Sequence, residues 1–128
     1  MDKNQCEVFA QFTYADSLTY DELLNAESAL MARLEHILAD AGGQHLDFTP
    51  LGDMLRFQCA LESLDLENFR DIAASIAAIL PDGIKGRLLF LDKSLSGLYL
   101  FWLRKGQWRQ GMWPVPLDAP EDTTPPSA

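Results

Sequence analysis

The sequence predicts an α+β fold, a two-layer sandwich of two helices packed on one antiparallel sheet. Three observations predict it. Apolar and polar residues alternate with period two at 6–14, 45–49 and 55–61, and strand patterning takes over from residue 84. Two amphipathic segments with marked starts, at Thr19 and Asp65, interrupt the strands. The order is strand, helix, strand, strand, helix, strand, then a further hairpin, which packs most simply as helices on one sheet face. A chain of 128 residues, 48% apolar and 23% charged, fits one such domain with a sizeable core.

The elements follow in order. In residues 6–14, Cys6, Val8, Ala10, Phe12 and Tyr14 share one face, and Glu7, Phe9, Gln11 and Thr13 the other. Thr19 and Glu22 have capping-box spacing, with Leu18 and Leu23 at the staple positions. Leu23, Ala26, Leu30, Leu34, Ile37 and Ala41 form the helical stripe, and Gly42-Gly43 stops it. Strands at 45–49 and 55–61 flank a Pro50-Leu51-Gly52-Asp53 turn. Asp65 caps the second helix, with Leu64 and Phe69 as its staple. Its apolar face is Leu66, Phe69, Ile72, Ala73, Ile76 and Leu80, and Pro81-Asp82-Gly83 ends it. Three strands remain, at 87–92, 97–104 and 107–113, the last two joined at Lys105-Gly106.

This order is the ferredoxin-like βαββαβ arrangement, strand order 4-1-3-2, with a C-terminal β-hairpin extension. The resemblance is to a fold and carries little functional weight. Residues 1–113 read as the single α+β domain. Residues 114–128 hold five of the seven prolines and read as an extended Pro-rich tail, with Pro114-Val115-Pro116 suited to an aromatic groove.

Helices on one face leave the other bare. The alternation places Phe9, Gln11, Thr13, His45, Asp47, Thr49, Met54, Arg56 and Gln58 there, joined by part of the aromatic C-terminal meander. Such a face commonly carries a partner or a ligand.

The formal charge is −9, from 19 acids and 10 bases. An acidic total disfavours nucleic acid, which needs several cations at phosphates. The charge is divided, however. Residues 1–82 carry −11, residues 83–113 carry +5, and the tail carries −3. Six of the 13 aromatics also lie in 83–113. Trp and Arg concentrate in binding hot spots, so Trp102, Arg104, Trp108, Arg109 and Trp113 are the expected partner contacts.

The candidates for chemistry are few. Cys6 and Cys59 lack metal or redox spacing and read as buried thiols acting as small hydrophobes. His36 lies among solvated charges. His45, two residues before Asp47, has the spacing of a general base and its orienting carboxylate, and also of two ordinary surface residues. The helix-one acids Asp21, Glu22, Glu27, Glu35 and Asp40 read as a solvated face. No nucleophile elbow or phosphate loop occurs, so no catalytic residue, metal or cofactor is assigned.

The expectation is therefore an acidic protein without a catalytic role that homodimerises or binds a protein partner through its open sheet face and meander. The alternative is a small-molecule-binding protein or cofactor-free enzyme with a pocket between sheet and helices, lined by His45, Asp47, Arg56 and Tyr99. Nucleic-acid binding through the basic hairpin is the weakest reading. The N-terminal residues show no signal-peptide pattern, and the longest apolar stretch, 98–103, is too short for a membrane span, so the chain reads as cytoplasmic.

Overall fold

The computed structural model describes residues 5–62 and 65–118. The strands are β1 (Cys6–Tyr14), β2 (Gln44–Pro50), β3 (Met54–Leu61), β4 (Ile84–Asp92), β5 (Gly97–Arg104) and β6 (Gln107–Pro114). The helices are α1 (Tyr20–Asp40) and α2 (Leu66–Ile79). The six strands form one antiparallel sheet in the order β2-β3-β1-β4-β5-β6. This differs from a four-strand 4-1-3-2 sheet, because β5 and β6 continue the same sheet beyond β4 and move the edge to β6. The architecture is α+β, with six antiparallel strands and two helices.

Both helices start as their caps dictate. The Glu22 amide donates to Thr19 Oγ1 at 3.2 Å, and the Thr19 hydroxyl donates to Glu22 Oε1 at 2.9 Å. Asp65 accepts from the Glu67 amide at 2.9 Å. The expected staple residue Leu64 lies outside the described residues. Helix α1 neighbours β2, and α2 neighbours β5 and β6, so the helices divide one sheet face between them.

The core lies between these layers. It takes Cys6, Val8, Ala10 and Phe12 from β1, and Leu55, Phe57, Cys59 and Leu61 from β3. Phe69 of α2 stacks on Phe90 at a centroid distance of 4.1 Å, and Phe90 meets Phe101 edge-on at 5.6 Å. Each aliphatic or aromatic side chain buried this fully contributes about 1.5–3 kcal/mol relative to exposure.

Three expectations need correction. The α1 stripe is Glu27, Leu30, Leu34 and Leu38, with Ala41 an exposed cap. Glu27 is therefore not on the solvated face. It is 8% exposed and accepts a 2.6 Å hydrogen bond from the Tyr14 hydroxyl, which lets a carboxylate occupy a core position. Strand β4 begins at Ile84, three residues before the expected 87. Gly86 does not break it, because the ring of Phe12 fills the missing side chain's place: a Cβ there would sit 2.6 Å from that ring. Finally, the extended tail does not begin at residue 114. Pro114 pairs with Gly97 in β6, and the Val115 amide donates to the Ser96 carbonyl at 3.0 Å. Residues 119–128 of that tail lie outside the described residues.

Candidate functional site: the open sheet face

The face away from the helices is built by period two. The residues between the buried ones on each strand point outward, and the strand register sets them in rows. One row crosses the whole sheet: Thr49, Arg56, Gln11, Arg87, Trp102 and Arg109, each opposite the next. Three arginines thus stand on alternate strands, about 9–10 Å apart at the backbone. The next row holds Asp47, Gln58, Phe9, Leu89, Leu100 and Gly111 and is apolar at its centre. On the other side Met54, Thr13 and Lys85 are in line, with Arg104 and Gln107 closing the hairpin. The face is therefore basic along one band and apolar along the next.

The arginine band is ordered by side-chain amides. Arg87 donates to Gln11 Oε1, and Gln11 Nε2 donates to the sulfur of Met54 at 3.0 Å. Arg104 donates to Gln107 Oε1 at 2.9 Å. Among the described residues, the ion pairs are His36–Asp40 at 3.4 Å and Lys105–Asp82 at 3.3 Å. Arg56, Lys85, Arg87, Arg104 and Arg109 have no carboxylate partner among those residues. These five cations outnumber the two acids of the same face, Glu7 and Asp47, and an excess of positive charge attracts anions.

Beside them, Trp102 and Trp113 meet edge-on at 6.1 Å over Gly111. They are 41% and 48% exposed, and Phe9 is 37% exposed. A groove of about 950 Å³ runs along Lys85, Arg87, Trp102, Arg104 and Arg109. A second, of about 520 Å³, lies over Phe9, Asp47, Arg56, Leu89 and Leu100. Gln11 and Arg87 border both, so the two are one continuous surface.

The structure divides the residues expected from sequence. Trp102, Arg104, Arg109 and Trp113 share the open face. Trp108 does not: it stands opposite Leu103 on the helix side and packs against Phe101 at 5.7 Å. Tyr99 is also on the helix side, against Phe69 at 5.6 Å, so the set His45, Asp47, Arg56 and Tyr99 does not converge. Asp47 and Arg56 border one groove. His45 has a φ of 59° within a bulge between Gln44 and Asp47, which removes it from the ladder. No hydrogen bond joins His45 to Asp47 among the described residues. Sequence reasoning placed Gln11 on the open face but did not place Lys85 and Arg87 there. The signal that would have found them is alternation from Ile84 onward, which gives Lys85, Arg87 and Leu89 a common outward face.

Ionisable groups away from this face are tuned by burial. Burial pushes the Cys6 thiol up to about 11 and the Cys59 thiol up to about 12. The two lie on diagonal positions of β1 and β3, and neither is in a disulfide. The Tyr14 phenol is raised by burial and then by its bond to the Glu27 carboxylate. Burial acts to raise Asp92 too, but bonds from Ser96, Ser94 and the Gly97 amide outweigh it and hold the carboxyl below 3.8. These bonds fix the β4–β5 turn. Among the described residues no cluster of three or more His, Cys, Asp or Glu side chains is placed to hold a metal. No helix there is long and apolar enough to cross a membrane. No family model matches the chain, and no curated protein matches it.

Proposed function

We propose that the protein is a non-catalytic association module whose working surface is the open sheet face together with the C-terminal meander. The observation that carries this reading is the row Arg56–Gln11–Arg87–Trp102–Arg109, whose arginines have no ion-pair partner among the described residues and beside which Trp113 packs on the exposed Trp102. Its occupant is a protein partner presenting acidic side chains with apolar ones beside them, matching the basic and apolar bands. A second copy of the chain is the other occupant of the meander. The ferredoxin-like description applies to β1–β4 with the two helices, supported by β1 lying between β3 and β4.

The test is calorimetric titration with polyglutamate for wild type and for Arg87→Glu/Arg109→Glu. Binding that weakens with salt and disappears in the double variant supports the reading. No binding at low salt, or binding indifferent to the two reversals, refutes it. Tighter binding of a single-stranded oligonucleotide than of polyglutamate would assign the face to nucleic acid instead.

A further inference from the structure

The two edges of the sheet are built differently. At the β2 edge the ladder is interrupted by the Gln44/Asp47 bulge, His45 is left-handed, and Pro50 closes the strand. Those are devices that stop another strand from adding. The β6 edge has none of them before its last residue. Its eight residues pair with β5 without a register shift, from Arg104–Gln107 to Gly97–Pro114. It is also held in place from behind. The Gly106 amide donates to the Ala77 carbonyl at 2.8 Å, Lys105 pairs with Asp82, and Arg70 of α2 donates to Gln110 Oε1 at 2.9 Å.

The outward polar groups of this edge follow from one bond. The Val115 amide points back to Ser96, opposite which it stands. Antiparallel ladders alternate, so the amides of Trp113, Gly111 and Arg109 also point toward β5. Those of Trp108, Gln110 and Met112 then point outward, each with its carbonyl. The described strand has three outward donors and, with the Pro114 carbonyl, four outward acceptors in a straight line.

We infer that β6 pairs antiparallel with β6 of a second copy about a two-fold axis at Gln110. This register sets Gln110 against its own copy and Trp108 against Met112 in both directions, and all six outward donors of the two strands find acceptors on Trp108, Gln110 and Met112. A two-fold axis at Gly111 would instead bring Pro114, which lacks an amide, opposite Trp108. In the Gln110 register Arg109 faces Gly111 of the other copy, so no two cations stand directly opposite. The two Arg109 side chains are diagonal neighbours, and the Arg70 pair approaches near the axis. The joint therefore concentrates positive charge, and added salt tightens it. Docking of an acidic partner on the open face responds in the opposite direction. The inference deepens the association reading by naming the edge through which a second copy binds.

The experiment is sedimentation equilibrium of the full chain at about 100 µM, where mass action favours a dimer, in about 0.05 M and 0.5 M NaCl. The expected result is a dimer that tightens with salt. Gln110→Pro removes an outward donor at an edge that tolerates proline, and weakens the dimer at least about tenfold. Gln110→Cys forms an intermolecular disulfide on mild oxidation, since directly opposed residues lie about 5.5 Å apart at Cα, within disulfide reach. Circular dichroism confirms that both variants fold. A monomer at high salt overturns the inference, and so does a dimer indifferent to Gln110→Pro that leaves Gln110→Cys unlinked. Polyglutamate binding by a monomer would overturn this pairing while leaving the open-face reading intact. A dimer linked at Gln110 that ignores polyglutamate would do the reverse.

Discussion

Tyr14→Phe isolates one hydrogen bond whose loss should be felt by the whole fold. The Tyr14 hydroxyl donates at 2.6 Å to Glu27, the one charged side chain buried in the described core. The substitution keeps the ring and removes only the donor. A hydrogen bond to a charged group contributes about 1.5–3 kcal/mol, and leaving a buried carboxylate unpaired adds its desolvation cost. Tyr14 is half-buried at the end of β1, so water reaches part of the site, and the lower half of that range applies, about 1.5–2 kcal/mol. For a domain of this size that is a fall in melting temperature of roughly 5–10 °C. Urea unfolding followed by circular dichroism at neutral pH measures it. Tyr14→Phe/Glu27→Leu should recover much of the loss, because removing both partners leaves nothing unsatisfied. The pH dependence has a definite sign. The folded phenol is raised above its ordinary 10.0, so its contribution is fully present below that pH and is lost as pH rises from there through the folded value. A Tyr14→Phe variant within 0.5 kcal/mol of wild type, a threshold of about the scatter of surface substitutions, would refute the argument. So would a double variant no better than the single one.

Three further outcomes follow from close contacts and buried groups. Gly86→Ala should cost about 1–3 kcal/mol by denaturant melt, because its Cβ meets the fully buried Phe12 ring at 2.6 Å. Gly111→Ala should leave stability nearly unchanged while shifting tryptophan emission: its Cβ meets the far end of the Trp113 ring at 2.5 Å and of the Trp102 ring at 3.1 Å, and both side chains are exposed enough to shift without disturbing the core. Cys6 and Cys59, raised to about 11 and about 12, should resist a thiol reagent in the folded protein at pH 8 and react at the ordinary rate once urea unfolds it.

The parts of the fold legible in the sequence are those set by local pattern. Thr19 and Asp65 are caps because their side chains sit where orphan amides need acceptors, and the structure uses both. The alternation of β1 and β3 sorts their faces as expected. Tertiary contacts carry the rest. Glu27 falls on the buried stripe by spacing, but only Tyr14, 13 residues earlier, makes that acceptable. The first residues of β4 were missed, and the contact that fits Gly86 into the strand, with the Phe12 ring filling its place, is tertiary. The candidate face was half legible. Trp102 and Arg109 were found by composition, whereas Trp108 and Tyr99 were assigned without a face. Only the pairing of β5 with β4 and β6 shows that both turn toward the helices.

The charge division also changes meaning once folded. Along the chain it separates an acidic body from a basic meander. In the fold it biases the layers: Asp21, Glu22, Glu35 and Asp40 of α1 and Glu67 and Asp71 of α2 are exposed on the helix layer and outnumber Arg33 and Arg70, and five cations outnumber Glu7 and Asp47 on the opposite sheet face. If electrostatics alone governed self-association, the basic face of one copy would sit on the acidic layer of the next. That contact is head-to-tail and does not close, so it would grow into stacks. Pairing of β6 edges about a two-fold axis closes at two copies and leaves both basic faces open on one side of a longer sheet. An acidic partner and a second copy then use different parts of the molecule and need not compete. Raising salt separates them, loosening the face contact and tightening the edge contact.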